Sequence, residues 1–166
     1  ARSCSLRPCR ARGGAPVLRG GLLTMTPRTA IRNAFAALLT GLPSTGTRVF
    51  QSRTRPLAAA ELPAILVFSG EATGEADNVC SPRPDLMRYQ LRADILVKDS
   101  TGIEALADQI LFEIFTAVFA SSTANTLSGQ VCGIRLLQIG EPDLDDTLEK
   151  PALRLPVLFE TTYSTT

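Results

Sequence analysis

The stretch from Gly133 to Thr166 leaves this chain few choices of architecture. An apolar strand carrying Ile134, Leu136 and Ile139 runs into the acidic turn Glu141-Pro142-Asp143-Leu144-Asp145-Asp146, and a second strand, Leu153 to Tyr163, returns toward a Thr-rich tail. Sheet packing accounts for the in-and-out alternation and solvation of the turn accounts for the acids, so the hairpin needs no catalytic explanation. It reads as the end of a small sheet domain that associates with copies of itself.

The rest of the sequence supplies the partners of that hairpin. Ile31, Ala34, Phe35, Leu38, Leu39 and Leu42 recur at three- and four-residue steps and predict an opening helix, with Arg28, Arg32 and Asn33 on its other side and Gly41 and Pro43 as its stop. A short strand is predicted over Arg48 to Gln51. Ser52 to Leu62 reads as a loop with a helical turn near Leu57 to Glu61. Pro63 opens a buried strand, Ala64 to Phe68, and Gly70 to Pro84 reads as a long loop and first candidate for a contact element.

Leu86 to Val97 alternates, with Tyr89, Leu91, Ala93, Ile95 and Val97 on one face and Arg88, Gln90, Arg92 and Asp94 on a face expected to be wet or to meet a polar partner. A second helix, Ile103 to Ala120, carries Glu104 and Asp108 where its dipole favours acids; after Glu113 it is apolar or small all round, which predicts burial. The resulting fold class is α+β: a mixed, mainly antiparallel sheet of about five strands with two helices packed on one face.

Composition narrows the class of function. With 166 residues, 45% hydrophobic and 20% charged, the chain suits one domain with a proper core. Five of its 17 basic residues (Arg2, Arg7, Arg10, Arg12, Arg19) precede Met25, where no acid occurs, leaving 12 basic against 16 acidic residues, a net of −4, from Met25 onward. An acidic body argues against nucleic-acid binding. Residues 1–24, rich in Arg, Gly and Pro, read as an extension outside the fold, and Met25-Thr26-Pro27 reads as a start, Thr26 capping a helix with Pro27 at its first position; 25–166 is then the single domain. No run approaches the roughly 18 to 20 apolar residues of a membrane span.

Candidate chemistry is thin. The chain has no histidine, which removes the commonest general base and the usual nucleophile triads. Cys80 and Cys132 read as reduced thiols, a disulfide between them being the alternative, and zinc is not expected. Asp143, Asp145 and Asp146 lack the Gly and the closing Glu of a calcium loop, and Gly70 to Glu75 lacks the Lys-Ser/Thr of a phosphate loop. No catalytic residue, metal or cofactor is expected, and the chain is not expected to be an enzyme.

Four stretches in order carry a resemblance. They are Ile31 to Leu39, Glu61-Leu62-Pro63-Ala64-Ile65-Leu66-Val67, Arg88 to Val97 followed by Ala105-Leu106-Ala107-Asp108-Gln109-Ile110, and the hairpin ending Phe159-Glu160-Thr161-Thr162-Tyr163. With their spacing, the chain from Met25 to Thr166 resembles the tail terminator proteins of long-tailed bacteriophages, the minor tail protein U type of lambda-like phages. The resemblance implies a homohexameric ring in the virion that caps the head-proximal end of the tail tube, ends tail polymerisation and offers a surface for head joining.

Its implied partners are further copies of itself, the major tail tube protein and the head completion or connector protein. No membrane and no sequence-specific nucleic acid are implied, the lumen being a route for DNA, and assembly takes place in the cytoplasm of a bacterial host. For such a ring the expected subunit contacts are Arg53 and Arg55, Glu71, Glu75 and Asp77 in the long loop, and Asp143, Asp145, Asp146 and Glu149 around the acidic turn. Two other readings compete: a neck or head-tail joining protein, and a non-viral module in which the apolar second helix lines a small-molecule pocket.

Overall fold

The structure, a computed structural model, describes residues 26–74, 86–98, 102–145 and 152–164. Its elements in chain order are α1 (Pro27–Leu39), β1 (Val49–Gln51), a 3-10 turn (Ala59–Glu61), β2 (Ala64–Gly74), β3 (Leu86–Val97), α2 (Ile103–Phe119), the short α3 (Ser122–Asn125), β4 (Gly133–Ile139), β5 (Asp143–Asp145) and β6 (Ala152–Ser164). The fold is α+β, with three helices, two of them long, and a mostly antiparallel six-stranded sheet.

α1 begins as its sequence predicts. The Thr26 hydroxyl accepts a hydrogen bond from the Thr29 amide, and Pro27 takes the first turn, where no amide donor is needed. α2 has no side-chain cap; it starts from Gly102 at φ +80°, a left-handed conformation that favours glycine.

All 12 residues of β3 pair antiparallel with β6, from Leu86 opposite Ser164 to Val97 opposite Leu153. β2 lies antiparallel on the other side of β3, and β1 runs parallel to β2 at one edge of the sheet. β4 and β5 follow one another along the far side of β6, so the chain from Gly133 onward is one long hairpin. The acidic stretch is therefore only partly a turn, because Asp143–Asp145 is strand, paired with Ala152 to Arg154.

Pro156 explains why that outer lane is cut in two. Its carbonyl accepts from the Gly140 amide, so its own nitrogen, which has no hydrogen to donate, also points toward the β4 and β5 side. The ladder to β3 is unbroken, while the outer lane lapses between Ile139 and Asp143. Gly140 fits there because a Cβ would come within 2.6 Å of the Pro156 ring.

α1 lies over β1 and β2, and α2 over β3 and β6, on one face of the sheet. The core between them joins Ile31, Phe35 and Leu39 of α1 and Ala107, Ile110, Ile114 and Val118 of α2 to Tyr89, Leu91, Ala93 and Ile95 of β3 and Val157 and Phe159 of β6. Phe159 is the hub, with the Phe35 ring 5.3 Å and the Phe115 ring 6.5 Å away. The predicted burial of α2 on all sides after Glu113 does not hold: Phe119 is 44% exposed and Thr116 also faces solvent. Two layers bury one stripe of a helix, not its whole circumference.

One further expectation is corrected. The strand after Pro63 does not stop at Phe68 but runs to Gly74, with a bulge between Ser69 and Ala72, so Gly70 and Glu71 belong to β2 and not to a loop. On the face expected to be wet or to meet a polar partner, Asp94 takes the second course: it is fully buried and bonded to Arg92 and Arg154. The helix-free face is partly roofed at that end by the segment after β1, where Leu57 packs on Ala64 and Leu96 in a second small core. Among the described residues no helix is long and apolar enough to cross a membrane. Residues 1–24, read above as an extension, lie outside the described residues, as does Cys80.

A polar clasp ties α2 to the turn after α1. The Glu113 carboxylate accepts from the Ser44 hydroxyl (2.7 Å), the Ser44 amide (3.0 Å) and Gln109. Burial pushes the Glu113 carboxyl up, but the bonds from Ser44 and Gln109 outweigh it and hold it below the ordinary glutamate range. A depressed folded-state value means the stabilisation is complete above that range and is lost as pH falls through the lowered value. Glu113→Gln is expected to cost about 1 kcal/mol at neutral pH, with the gap to the parent closing under acid conditions in urea titrations. Thr161 is buried with a hydroxyl that has no partner among the described residues, so Thr161→Val is expected to raise stability by about 1 kcal/mol in the same assay.

Candidate assembly surface

The two edges of the sheet differ in chemistry. At the β1 edge, Gln51 leads into a loop that folds back over the helix-free face, and Arg53 is its clasp. Its guanidinium makes two bonds to the Glu61 carboxylate (2.9 and 2.8 Å), reaches the Arg55 and Pro56 carbonyls, and lies 4.7 Å from the centre of the Phe50 ring. The bond from Arg53, then that from the Ala58 amide, holds the Glu61 carboxyl below its ordinary range, against a smaller push from desolvation. Arg53 thus spends its hydrogen bonds inside its own loop. Arg55 is the exposed charge of this segment.

At the opposite edge, β4 and β5 present apolar side chains outward. Leu136 and Ile139 pair with Phe159 and Val157, and Leu144 pairs with Leu153, so all three point to the face that carries the helices. The helices do not reach them: Leu136 and Ile139 are exposed, and Leu144 is 60% exposed. Phe115 leans on Phe159 from the neighbouring flank of α2, and Phe119 stacks beside Phe115 with ring centres 6.2 Å apart. Phe119, Leu136, Ile139 and Leu144 are thus apolar side chains that the subunit itself leaves uncovered. α3 guards only the start of the edge, where the Asn125 side-chain oxygen accepts from the Ile134 amide at 2.6 Å.

Acids border that edge. Glu141 and Asp143 are exposed. Asp143 is the register partner of Arg154, which places it on the helix-free face. Asp145 lies in the same strand. Glu71 is exposed near the end of β2. Glu75, Asp77, Asp146 and Glu149 lie outside the described residues. The lane bearing Asp143 is three strands from β2 and four from β1, about 14 to 19 Å at the usual strand spacing of ~4.8 Å. The β1-edge loop and the acids therefore belong to opposite edges of one subunit.

Between the edges, the helix-free face carries a charge cluster. The buried Asp94 carboxylate accepts from Arg92 Nε at 2.6 Å and from Arg154 Nε at 3.0 Å, with the Arg154 terminal nitrogen at 2.5 Å. Arg92 sits two residues earlier on the same strand, and Arg154 sits diagonally across on β6. Farther along, Arg135 of β4 pairs with Glu160 of β6 at 2.5 Å. The signal for this cluster is present in the sequence as two acids, Asp94 and Glu160, among the arginines Arg88, Arg92 and Arg154 on the even positions of β3 and β6.

No protein-family model matches the chain, and no curated protein matches it.

The Asp94 cluster generates a stability prediction. Removing the acid strands two guanidiniums side by side, so Asp94→Ala is expected to cost about 2 to 4 kcal/mol in urea unfolding. The triple replacement of Asp94, Arg92 and Arg154 by leucine is expected to recover most of that loss, because no unpaired charge remains.

Proposed function

We propose that this chain is a ring-forming structural subunit of the phage tail terminator kind. Copies join head to tail into a closed ring that caps the head-proximal end of the tail tube, ends its polymerisation and provides the surface for head joining. The observation that carries the reading is the unlikeness of the two sheet edges. One edge has an apolar, acid-bordered outer lane, and the other has a short strand followed by a roofing loop with an exposed arginine.

A heterologous contact needs two different, complementary patches on one subunit, and it closes into a ring when the rotation between neighbours is an integral fraction of a turn. Leu136, Ile139 and Leu144 supply the apolar centre of such a contact, with Glu141 and Asp143 on its rim. Apolar side chains at the centre give the contact its affinity, whereas the rim charges set orientation and contribute only about 0 to 1 kcal/mol each. Arg55 is the rim charge proposed to face a neighbour's acids, while Arg53 holds the loop that presents it.

The reading predicts a defined oligomer. The purified chain should show a single multimeric mass by native mass spectrometry and ring-shaped particles by negative-stain microscopy. Leu144→Asp should reduce it to monomers that keep their circular dichroism spectrum. Arg55→Glu and Asp143→Arg should each weaken assembly, and the double swap should restore it. Tails assembled without the chain should run past their normal length. A concentrated solution of monomers, or tails of normal length in its absence, overturns the proposal.

A further inference from the structure

The helix-free face holds a cavity of about 460 Å3 whose walls include Phe68, Gly70, Gln90, Arg92, Arg154 and Leu158. We propose that this cavity is a binding site for a carboxylate carried on a small apolar body. The inference is independent of the ring reading, since it concerns a face between the two edges and not the edges themselves.

Arg92 and Arg154 are the charged groups of the wall, and both are braced from one side by the buried Asp94. Their side chains remain 40% and 35% exposed, so the guanidiniums are fixed in place yet still border open space. Two arginines and one aspartate sum to a single positive charge. That charge suits a monoanion; a phosphate dianion would exceed it and would also meet the field of Asp94. Guanidinium fixed in advance loses little freedom on binding, which favours planar bidentate recognition of a carboxylate.

The remaining walls define the body of the ligand. Phe68 and Leu158 are register neighbours of Arg92 on either side, and they offer an apolar surface beside the charge. Gly70 is bare because a Cβ there would lie 2.8 Å from the Gln90 Cβ, and the bulge that follows Ser69 interrupts the ladder at this point. Nearby acids are accounted for. Glu160, the register partner of Gln90, is held by Arg135. Asp143, the exposed register partner of Arg154, stands on the rim and opposes an incoming anion.

The test uses the full chain at low ionic strength, titrated calorimetrically with isocaproate. A saturable isotherm is expected, with isocaproamide and inorganic phosphate each bound at least about tenfold more weakly. Gln90→Glu adds an acid without disturbing Asp94 or its arginines and should weaken binding by at least about fivefold, whereas Asp143→Asn removes the opposing rim charge and should tighten it by about threefold. Both variants are checked for the parent circular dichroism spectrum. An isotherm that never saturates, an amide or phosphate bound as well as isocaproate, or a Gln90→Glu variant that binds unchanged overturns the proposal.

Discussion

The unbroken pairing of β3 with β6 is the constraint on which the rest depends. Because strand side chains alternate strictly, one register decides for both strands which residues meet the helices and which meet the opposite face. Tyr89, Leu91, Ala93 and Ile95 enter the core together with Val157 and Phe159, and in the same stroke Arg92, Asp94 and Arg154 are gathered on the other side. A slip of β6 by one residue would drive Arg154 under the helices, expel Phe159 and leave Asp94 without its partner. The core and the polar cluster therefore specify each other.

Much of this was legible because it rests on period. The bounds of β3, the core face of α1, the Thr26 and Pro27 start and the terminal hairpin follow from alternation and capping, which need no knowledge of tertiary neighbours. What was left open or misread depends on partners distant in sequence. Asp94 stays open between surface and polar contact until Arg154, 60 residues later, is laid diagonally across from it. Gly70 and Glu71 look like loop because the bulge switches the parity of β2, leaving Phe68 on the helix-free face but turning Ala72 toward Tyr89 on the core side.

The candidate surface was only half visible for the same reason. Arg53, expected at a subunit contact, makes its ion pair with Glu61, eight residues away in its own loop. The apolar edge is legible as a strand, and its bulge is written there too: Ile134 and Leu136 share one parity, Ile139 has the other, and Leu137 between them falls opposite Phe159 and Leu158. Exposure itself cannot be read from such a pattern. Leu136 and Phe35 are equally apolar, and only the reach of the two helices across the sheet decides which of them is covered.

Pro156 has a consequence for how the molecule behaves in crowded solution. An outermost strand rich in leucine and isoleucine is a natural template for uncontrolled strand addition, and a straight, uninterrupted one would invite fibrils. The missing donor in the middle of β6 divides that template into two short pieces, with Gly140 and Pro142 between them. A greasy border is thereby kept available for side-chain packing, while the continuous backbone ribbon that cross-β growth requires is denied.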